Sequence, residues 1–264
     1  MADATALVIE NAASDPVARL GDWLRSAGLT LQVVRPYAGD PLPDTLEGFS
    51  ALVVMGGPQR LRGHGGQDSD PYLETERRLL RLAGAERVPT LAICLGAQLL
   101  AQAYGGTVGP AAAGPELGPR LVAKRDVAAT DPLFAEVPFT PDVMQWHFDE
   151  ITQLPAGATL LASSPRYQVQ AYRMGTRTWA TQFHIECDVD MVRAWAAKDA
   201  ATLVELGRDP DEVAEAGIAV LDDIEEVWRP FAERFAALAQ GRLDTDLEHD
   251  PAANPLRQLP VIGD

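Results

Sequence analysis

The chain has 264 residues, 47% of them hydrophobic, which suits a globular protein with one large domain or one domain plus an appendage. Its 38 acidic residues against 22 basic ones leave a net charge of -16, which argues against binding to nucleic acid or to anionic membrane surfaces. Two cysteines, Cys94 and Cys187, make no disulfide framework, no run approaches the ~20 apolar residues of a membrane span, and the Met-Ala-Asp-Ala-Thr start shows no signal peptide, so a cytoplasmic protein is expected.

In chain order, Ala6 to Glu10 reads as a strand, Pro16 to Ala27 as a helix stopped by Gly28, and Leu29 to Arg35 as a second strand. Ala51-Leu-Val-Val-Met55 is a fully apolar strand that runs into a Gly56-Gly57-Pro58 loop. Tyr72 to Ala85 is amphipathic, with leucines at 73, 79, 80 and 82, and reads as a helix. Pro89 to Cys94 is another apolar strand, and Leu95 to Tyr104 a helix closed by Gly105-Gly106. Apolar strands alternating with helices imply a parallel sheet covered on both faces. After Gly118 the strands shorten, around Leu121, Thr159 to Ala162, Gln168 to Arg173 and Trp179 to Phe183. They read as an antiparallel extension returning to the sheet.

Beyond Asp188 the pattern is helical. Val189 to Leu206 ends at Gly207, and Pro210 to Trp228 follows Asp209, a candidate cap. Val213, Val220, Ile224, Val227, Phe231, Phe235 and Leu238 form an apolar stripe, and Pro230 should kink or restart its helix. The stripe fits either a helical hairpin packed on the core or a dimer or partner interface. From Asp188 onward there are 18 acidic and 7 basic residues, so the acidity belongs mainly to this part. The expected organisation is a catalytic domain over 1–187, a helical appendage over 188–241 and a loosely held tail over 242–264.

The strand ending on Cys94 places that sulfur at a sharp strand-to-helix turn. Unpaired N–H groups at a helix start favour a thiolate and can hold the oxyanion formed when it attacks a carbonyl. A nucleophile of this kind needs a base. His184 stands at the end of the run Trp179 to Phe183, with Glu186 two positions on to orient it. In a sheet of this type Gly57, Cys94 and His184 would meet beyond the strand ends. The plain alternative is a structural cysteine and an unrelated histidine at a strand end.

Four ordered motifs carry a resemblance to the class I glutamine amidotransferases, most of all to stand-alone members related to the glutaminase domain of GMP synthetase. They are Met55-Gly-Gly-Pro58, Ala92-Ile-Cys-Leu-Gly-Ala-Gln98, Gln145-Trp-His-Phe-Asp149 and Thr181-Gln-Phe-His-Ile-Glu186, within residues 5 to 187. The resemblance implies a flavodoxin-like α/β core. It also implies a Cys94 nucleophile, a His184 base and its partner Glu186, an oxyanion hole from the N–H groups of Gly57 and Leu95, and a substrate contact from Gln98. His147 and Asp149 match a motif near the site, either for substrate binding or for local structure. The chain departs from the family pattern at Ile185, where proline is usual after the histidine, and at Pro119, where an aromatic usually follows Glu-Ile-Gly.

The expected chemistry is attack of Cys94 on a γ-glutamyl amide. Three readings stand: a glutaminase subunit releasing ammonia from glutamine for a separate ATP-dependent synthetase, a γ-glutamyl peptidase or hydrolase, and a non-catalytic binding protein on the same scaffold. The intact triad argues against the third. No cofactor or metal is expected, since His64 has no ligand-spaced partner. Gly63-His-Gly-Gly66 lacks phosphate-loop spacing and reads as a surface loop or a flap. Cys187 reads as an inert small residue or a redox partner of Cys94.

Overall fold

The computed structural model describes residues 4–61 and 70–245. The Gly63–Gly66 stretch with His64, and the tail beyond Thr245, lie outside the described residues.

The chain begins with β1 (Thr5–Ile9), α1 (Ala18–Ser26), β2 (Thr30–Val34), β3 (Ala51–Val54), α2 (Tyr72–Glu86), β4 (Thr90–Ile93) and α3 (Leu95–Ala103). A middle region follows with β5 (Thr107–Pro110), β6 (Glu116–Leu121), β7 (Ala123–Lys124), β8 (Asp142–His147), β9 (Asp149–Gln153), β10 (Ala158–Ser163), β11 (Ala171–Met174) and β12 (Thr178–Thr181). Four helices close the described chain: α4 (Val189–Lys198), α5 (Ala200–Glu205), α6 (Pro210–Ala219) and α7 (Leu221–Ala239).

Eight strands form one sheet in the order β2-β1-β3-β4-β12-β11-β10-β7. The β2, β1, β3, β4 and β12 segment is parallel, and β11, β10 and β7 continue it antiparallel. This is the flavodoxin-like arrangement with an antiparallel extension. β12 lies beside β4 in register Thr181↔Ile93, so the chain after β12 emerges next to the residue after β4. That pairing brings the 94 and 184 positions to the same edge of the core. Two ribbons, β5 with β9 and β6 with β8, lie outside the main sheet.

β3 and β4 are buried at every position because both sheet faces are covered. Alternate side chains divide between two cores, as the period-two geometry of a strand requires. Ala6, Val8, Val53, Leu91 and Ile93 pack with α1 and the C-terminal helices. Leu7, Ile9, Leu52, Val54 and Ala92 pack with α2 and α3. α3 approaches the sheet closely: a Cβ on Gly96 would stand 2.3 Å from the Val54 carbonyl oxygen. Only glycine permits that approach, and it presses the start of α3 against the strand ends.

The expected strands and helices of the first half lie where the sequence puts them, within one or two residues. β5, β8 and β9 were not anticipated. At the C-terminal end, Val189–Leu206 breaks into α4 and α5 at Asp199, and α7 begins after Val220 and runs through Pro230 without restarting. Pro230 is exposed, as is Glu226 one turn back. The carbonyl that loses its partner to proline therefore faces solvent, and the buried stripe stays in register. Ile224, Phe231, Phe235 and Leu238 are buried together with Trp228, and they join the core cluster of β1 and α1. The stripe thus packs on the protein's own core. Packing also continues past Arg242, with Leu243 against the core and Thr245 buried. No helix of the described residues is long and apolar enough to cross a membrane.

Candidate active site

Cys94 sits between β4 and α3 with φ 51° and ψ -104°, a conformation that a residue with a side chain rarely adopts. The strain is held by the Cys94 N–H bonding to Thr181 O at 2.8 Å and by the first helical bond, Gln98 N–H to Cys94 O at 3.0 Å. No side chain caps α3, so its first-turn N–H groups, that of Leu95 included, stay available to a ligand. The Cys94 Sγ lies 3.8 Å from Gln182 Nε2 and 4.0 Å from the Trp146 carbonyl oxygen. The Gln182 amide points a donor at sulfur.

His184 is fully buried after β12 and bridges to β8, donating from its N–H to Met144 O at 2.8 Å and accepting from Met144 N–H at 3.2 Å. Its Nδ1 is 2.7 Å from Glu186 Oε1, and the other oxygen of Glu186 accepts the Ile185 N–H at 2.9 Å. The departure from proline at 185 thus supplies a hydrogen bond that proline could not make. Burial pulls the His184 imidazole toward neutrality, but the charges of Glu186 and Cys94 outweigh it and push its pKa well above the ordinary value. Its Nε2 is buried and has no hydrogen-bond partner among the described residues.

The loop after β3 completes this end of the site. A Cβ on Gly56 would meet His184 Cε1 at 2.8 Å, Asp15 Oδ1 at 3.2 Å and Cys94 Cβ at 3.5 Å, so these three groups crowd one point. A Cβ on Gly57 would stand 3.0 Å from Leu95 Cδ2, so the Gly57 loop lies directly against the start of α3.

A cleft of about 330 Å³ opens over these groups. Gly57, Cys94, Gln98, His147 and Asp149 all line it. Gln98 Nε2 donates to the Asp149 carbonyl oxygen and to Gln182 Oε1, each at 3.2 Å. His147 Nδ1 is 3.0 Å from the same carbonyl oxygen, and its Nε2 is 3.4 Å from Glu116 Oε2. The Asp149 carboxylate pairs with Arg60, which stacks over Phe148 at 4.8 Å. Gln98, His147 and Asp149 are therefore tied to one another as well as facing the cleft. Glu116, from the motif lacking its usual aromatic, is buried behind His147.

The opposite wall was not anticipated. Asp15, Trp195, Lys198, Asp199 and Thr202 line it. The Trp195 ring packs on His184 with centroids 4.7 Å apart. Burial pushes the Asp15 carboxyl up, against the pull of His184 and of the Ser14 hydroxyl. Cys187 is fully buried and lies beside His184 and Glu186, with ligand-type atoms of all three within 4.8 Å. His184 Nδ1 is already engaged by Glu186 there, and burial followed by the Glu186 and Asp15 charges pushes the Cys187 thiol well up, toward an inert neutral group.

The α/β core thus carries a cysteine at a strained strand–helix turn that lines the cleft, with a fully buried histidine–glutamate pair beside it. Residues 11–190 match the family "Glutamine amidotransferase class-I", and the chain belongs to that family. It is 32% identical over 172 residues to the glutamine amidotransferase-like protein YfeJ of Salmonella typhimurium, covering 64% of this chain and 70% of that protein. It is 32% identical to a glutamine-hydrolyzing GMP synthase subunit of Thermoplasma acidophilum, over 63% of this chain and 78% of the relative. It is also 32% identical to gamma-glutamyl peptidase 4 of Arabidopsis thaliana, over 58% of this chain and 59% of the relative. Whole GMP synthases such as that of Christiangramia forsetii are matched over 27% of their length. Among solved structures, a glutamine amidotransferase from Thermotoga maritima superposes with a TM-score of 0.78 at 26% identity, covering 89% of this chain and 99% of that one.

Proposed function

We propose that this chain hydrolyses a γ-glutamyl amide through a Cys94–His184–Glu186 triad. The thiolate of Cys94 attacks the side-chain carbonyl carbon, and the resulting oxyanion is held by the N–H groups of Gly57 and Leu95. His184 Nε2 gives its proton to the departing nitrogen, the C–N bond breaks, and a glutamyl thioester remains on Cys94. His184 then takes a proton from water, which attacks the thioester carbonyl; glutamate leaves and the sulfur is restored. Glu186 holds the imidazole and balances its positive charge. Gln98, His147 and Asp149 form the wall against the glutamyl end.

The observation that carries this reading is the 2.7 Å bond from His184 Nδ1 to Glu186, with the His184 ring and Cys94 both crowding the same point at Gly56. With glutamine as substrate the product ammonia would pass to a separate ATP-dependent synthetase. Likeness to the Thermoplasma GMP synthase chain supports this branch. A second branch, hydrolysis of larger γ-glutamyl compounds, is favoured by the cleft's wall from α4 and α5, and by the likeness to a gamma-glutamyl peptidase. We read the protein as a cytoplasmic enzyme needing no cofactor or metal. Glutamate release from glutamine, γ-glutamyl peptides and γ-glutamyl amines, measured side by side, tests the reading. Release from at least one of them, abolished in Cys94→Ser, is expected; release that persists in Cys94→Ser contradicts it.

A further inference from the structure

The amide cleavage sets a direction within the cleft. His184 must reach the departing nitrogen to protonate it, so whatever that nitrogen carries lies on the His184 side of Cys94. The groups on that side come from α4 and α5, mostly beyond the family match at 11–190. Trp195 covers His184. Lys198, one helical turn on, shares its face. Thr202 follows on α5.

This wall is fixed in place from both sides. The Trp195 indole N–H donates to Ser14 O at 2.9 Å, joining α4 to the loop that carries Asp15. The Trp146 indole N–H donates to Asp199 Oδ2 at 2.8 Å, joining the end of α4 to β8 beside Cys94. An ammonia molecule needs no such wall. A cleft of about 330 Å³ falls at the lower end of those that take drug-sized ligands, roughly 300–1,000 Å³, and has room for a ligand of dipeptide size.

Charge then indicates what the wall receives. Among the described residues no ion pair or hydrogen bond holds the Lys198 ammonium, although Asp15 feels its charge. Arg60, the other cation of the cleft, is already paired with Asp149 on the glutamyl side. The Asp199 carboxylate is engaged by the Trp146 indole. The leaving-group half of the cleft therefore offers a flat aromatic ring, the Lys198 ammonium without a hydrogen bond or ion pair, and the Asp15 carboxyl, which burial pushes toward its neutral form.

We propose that Trp195, Lys198 and Thr202 form a leaving-group subsite, and that it selects γ-glutamyl compounds whose amide nitrogen belongs to an amino acid, Lys198 pairing with the carboxylate of that amino acid. The proposal rests on the γ-glutamyl hydrolysis reading above. Trp195 shields the His184–leaving-nitrogen contact from water, and Lys198 gathers anionic leaving groups while leaving neutral ones unaided.

The test compares kcat/KM for γ-glutamylglycine, γ-glutamyl methylamide and γ-glutamyl ethylenediamine, whose leaving groups are anionic, neutral and cationic. The full-length enzyme should prefer γ-glutamylglycine to the methylamide by tenfold or more. Lys198→Ala should bring that ratio down about tenfold, and Lys198→Glu should raise the ethylenediamine compound above γ-glutamylglycine. Lys198 is exposed, so both variants should fold. Equal use of the first two substrates by the parent, or a ratio unmoved in Lys198→Ala, would overturn the subsite and leave γ-glutamyl hydrolysis standing. Absence of Cys94-dependent glutamate from every γ-glutamyl substrate, glutamine included, would overturn both.

Discussion

Replacing Glu186 by glutamine tests the triad with almost no change in shape. Glu186 is fully buried and uses its two oxygens separately: one accepts from His184 Nδ1 at 2.7 Å, the other from the Ile185 N–H at 2.9 Å. A glutamine amide has one acceptor oxygen and one donor nitrogen. If its oxygen faces His184, its NH₂ opposes the Ile185 N–H and leaves two buried donors in conflict. If its oxygen faces Ile185, its NH₂ meets Nδ1 and forces the imidazole into the wrong tautomer. Either way a charge-assisted bond of about 1.5–3 kcal/mol is lost. That corresponds to roughly one to two pKa units on His184. The Glu186 charge is the largest influence holding that pKa above its ordinary value. The part of stability that comes from the protonated imidazole is present below the ordinary value and is lost as pH rises through the raised one. In Glu186→Gln the window closes at lower pH, and so should the alkaline limb of turnover. Turnover should fall by about 10²- to 10⁴-fold. Glu150→Gln is the control, because among the described residues the Glu150 carboxylate only accepts an exposed hydrogen bond from the Ala112 N–H. Glutamate release across pH for both variants decides the matter. Equal losses in the two, or an unmoved alkaline limb in Glu186→Gln, would refute the assignment of Glu186.

Further expectations follow from the same structure. Cys94→Ser should fold normally and lose turnover by several orders of magnitude, because a hydroxyl in the same strained turn is a far weaker nucleophile at neutral pH; an ordinary melting temperature with residual turnover near parent level would exclude Cys94 as nucleophile. Glu76 is buried on α2, where burial raises its pKa from 4.5 to about 8 despite the Asn11 amide. Its folded state holds a proton that the unfolded chain gives up, so stability is full below about 4.5 and declines as pH rises toward 8. Glu76→Gln should therefore remove on the order of 4 kcal/mol of pH dependence from denaturant melts between pH 5 and 9, and identical pH profiles for variant and parent would contradict it. Phe231 packs on Trp228 and Phe134 and Phe235 is buried in the same core, so changing both to polar residues should unfold or aggregate the chain, at about 3–5 kcal/mol for each side chain lost. A folded monomer from a dimeric parent would instead make that stripe an interface.

Much of the core was readable because each strand from β1 to β4 is short, apolar and bounded by turn residues, and because α2 shows helical periodicity. The strand-to-helix turn at Cys94 was readable for a local reason: Ile93-Cys94-Leu95-Gly96 places a thiol where a strand must become a helix, and Gly96 is needed at the Val54 carbonyl. The pairing of His184 with Glu186 depended on two residues in one short stretch and needed no long-range knowledge. The far wall was different. Asp15, Trp195, Lys198 and Thr202 reach the cleft through packing between the β1 loop and helices some 180 residues later, as in the Trp195 to Ser14 bond. No periodicity or spacing reports such a contact. Gln182 lay inside a recognised motif, but its role appears only when β12 pairs with β4 and aims its amide at sulfur. At Pro230 the local rule for proline lost to tertiary packing, since the unpaired carbonyl could face water while the buried stripe stayed aligned. β5, β8 and β9 pair as isolated ribbons with mixed composition, and such strands leave a weak pattern.

The central claim is a covalent glutamyl intermediate on Cys94. Acid quench of the enzyme during turnover of its best γ-glutamyl substrate, followed by peptide mass mapping, measures it directly. The account predicts a glutamyl mass on the peptide carrying Cys94, absent from Cys94→Ser and accumulating when Glu186→Gln slows hydrolysis of the thioester. A glutamyl adduct on Cys187, or turnover with no adduct on any residue and full retention in Cys94→Ser, would contradict it.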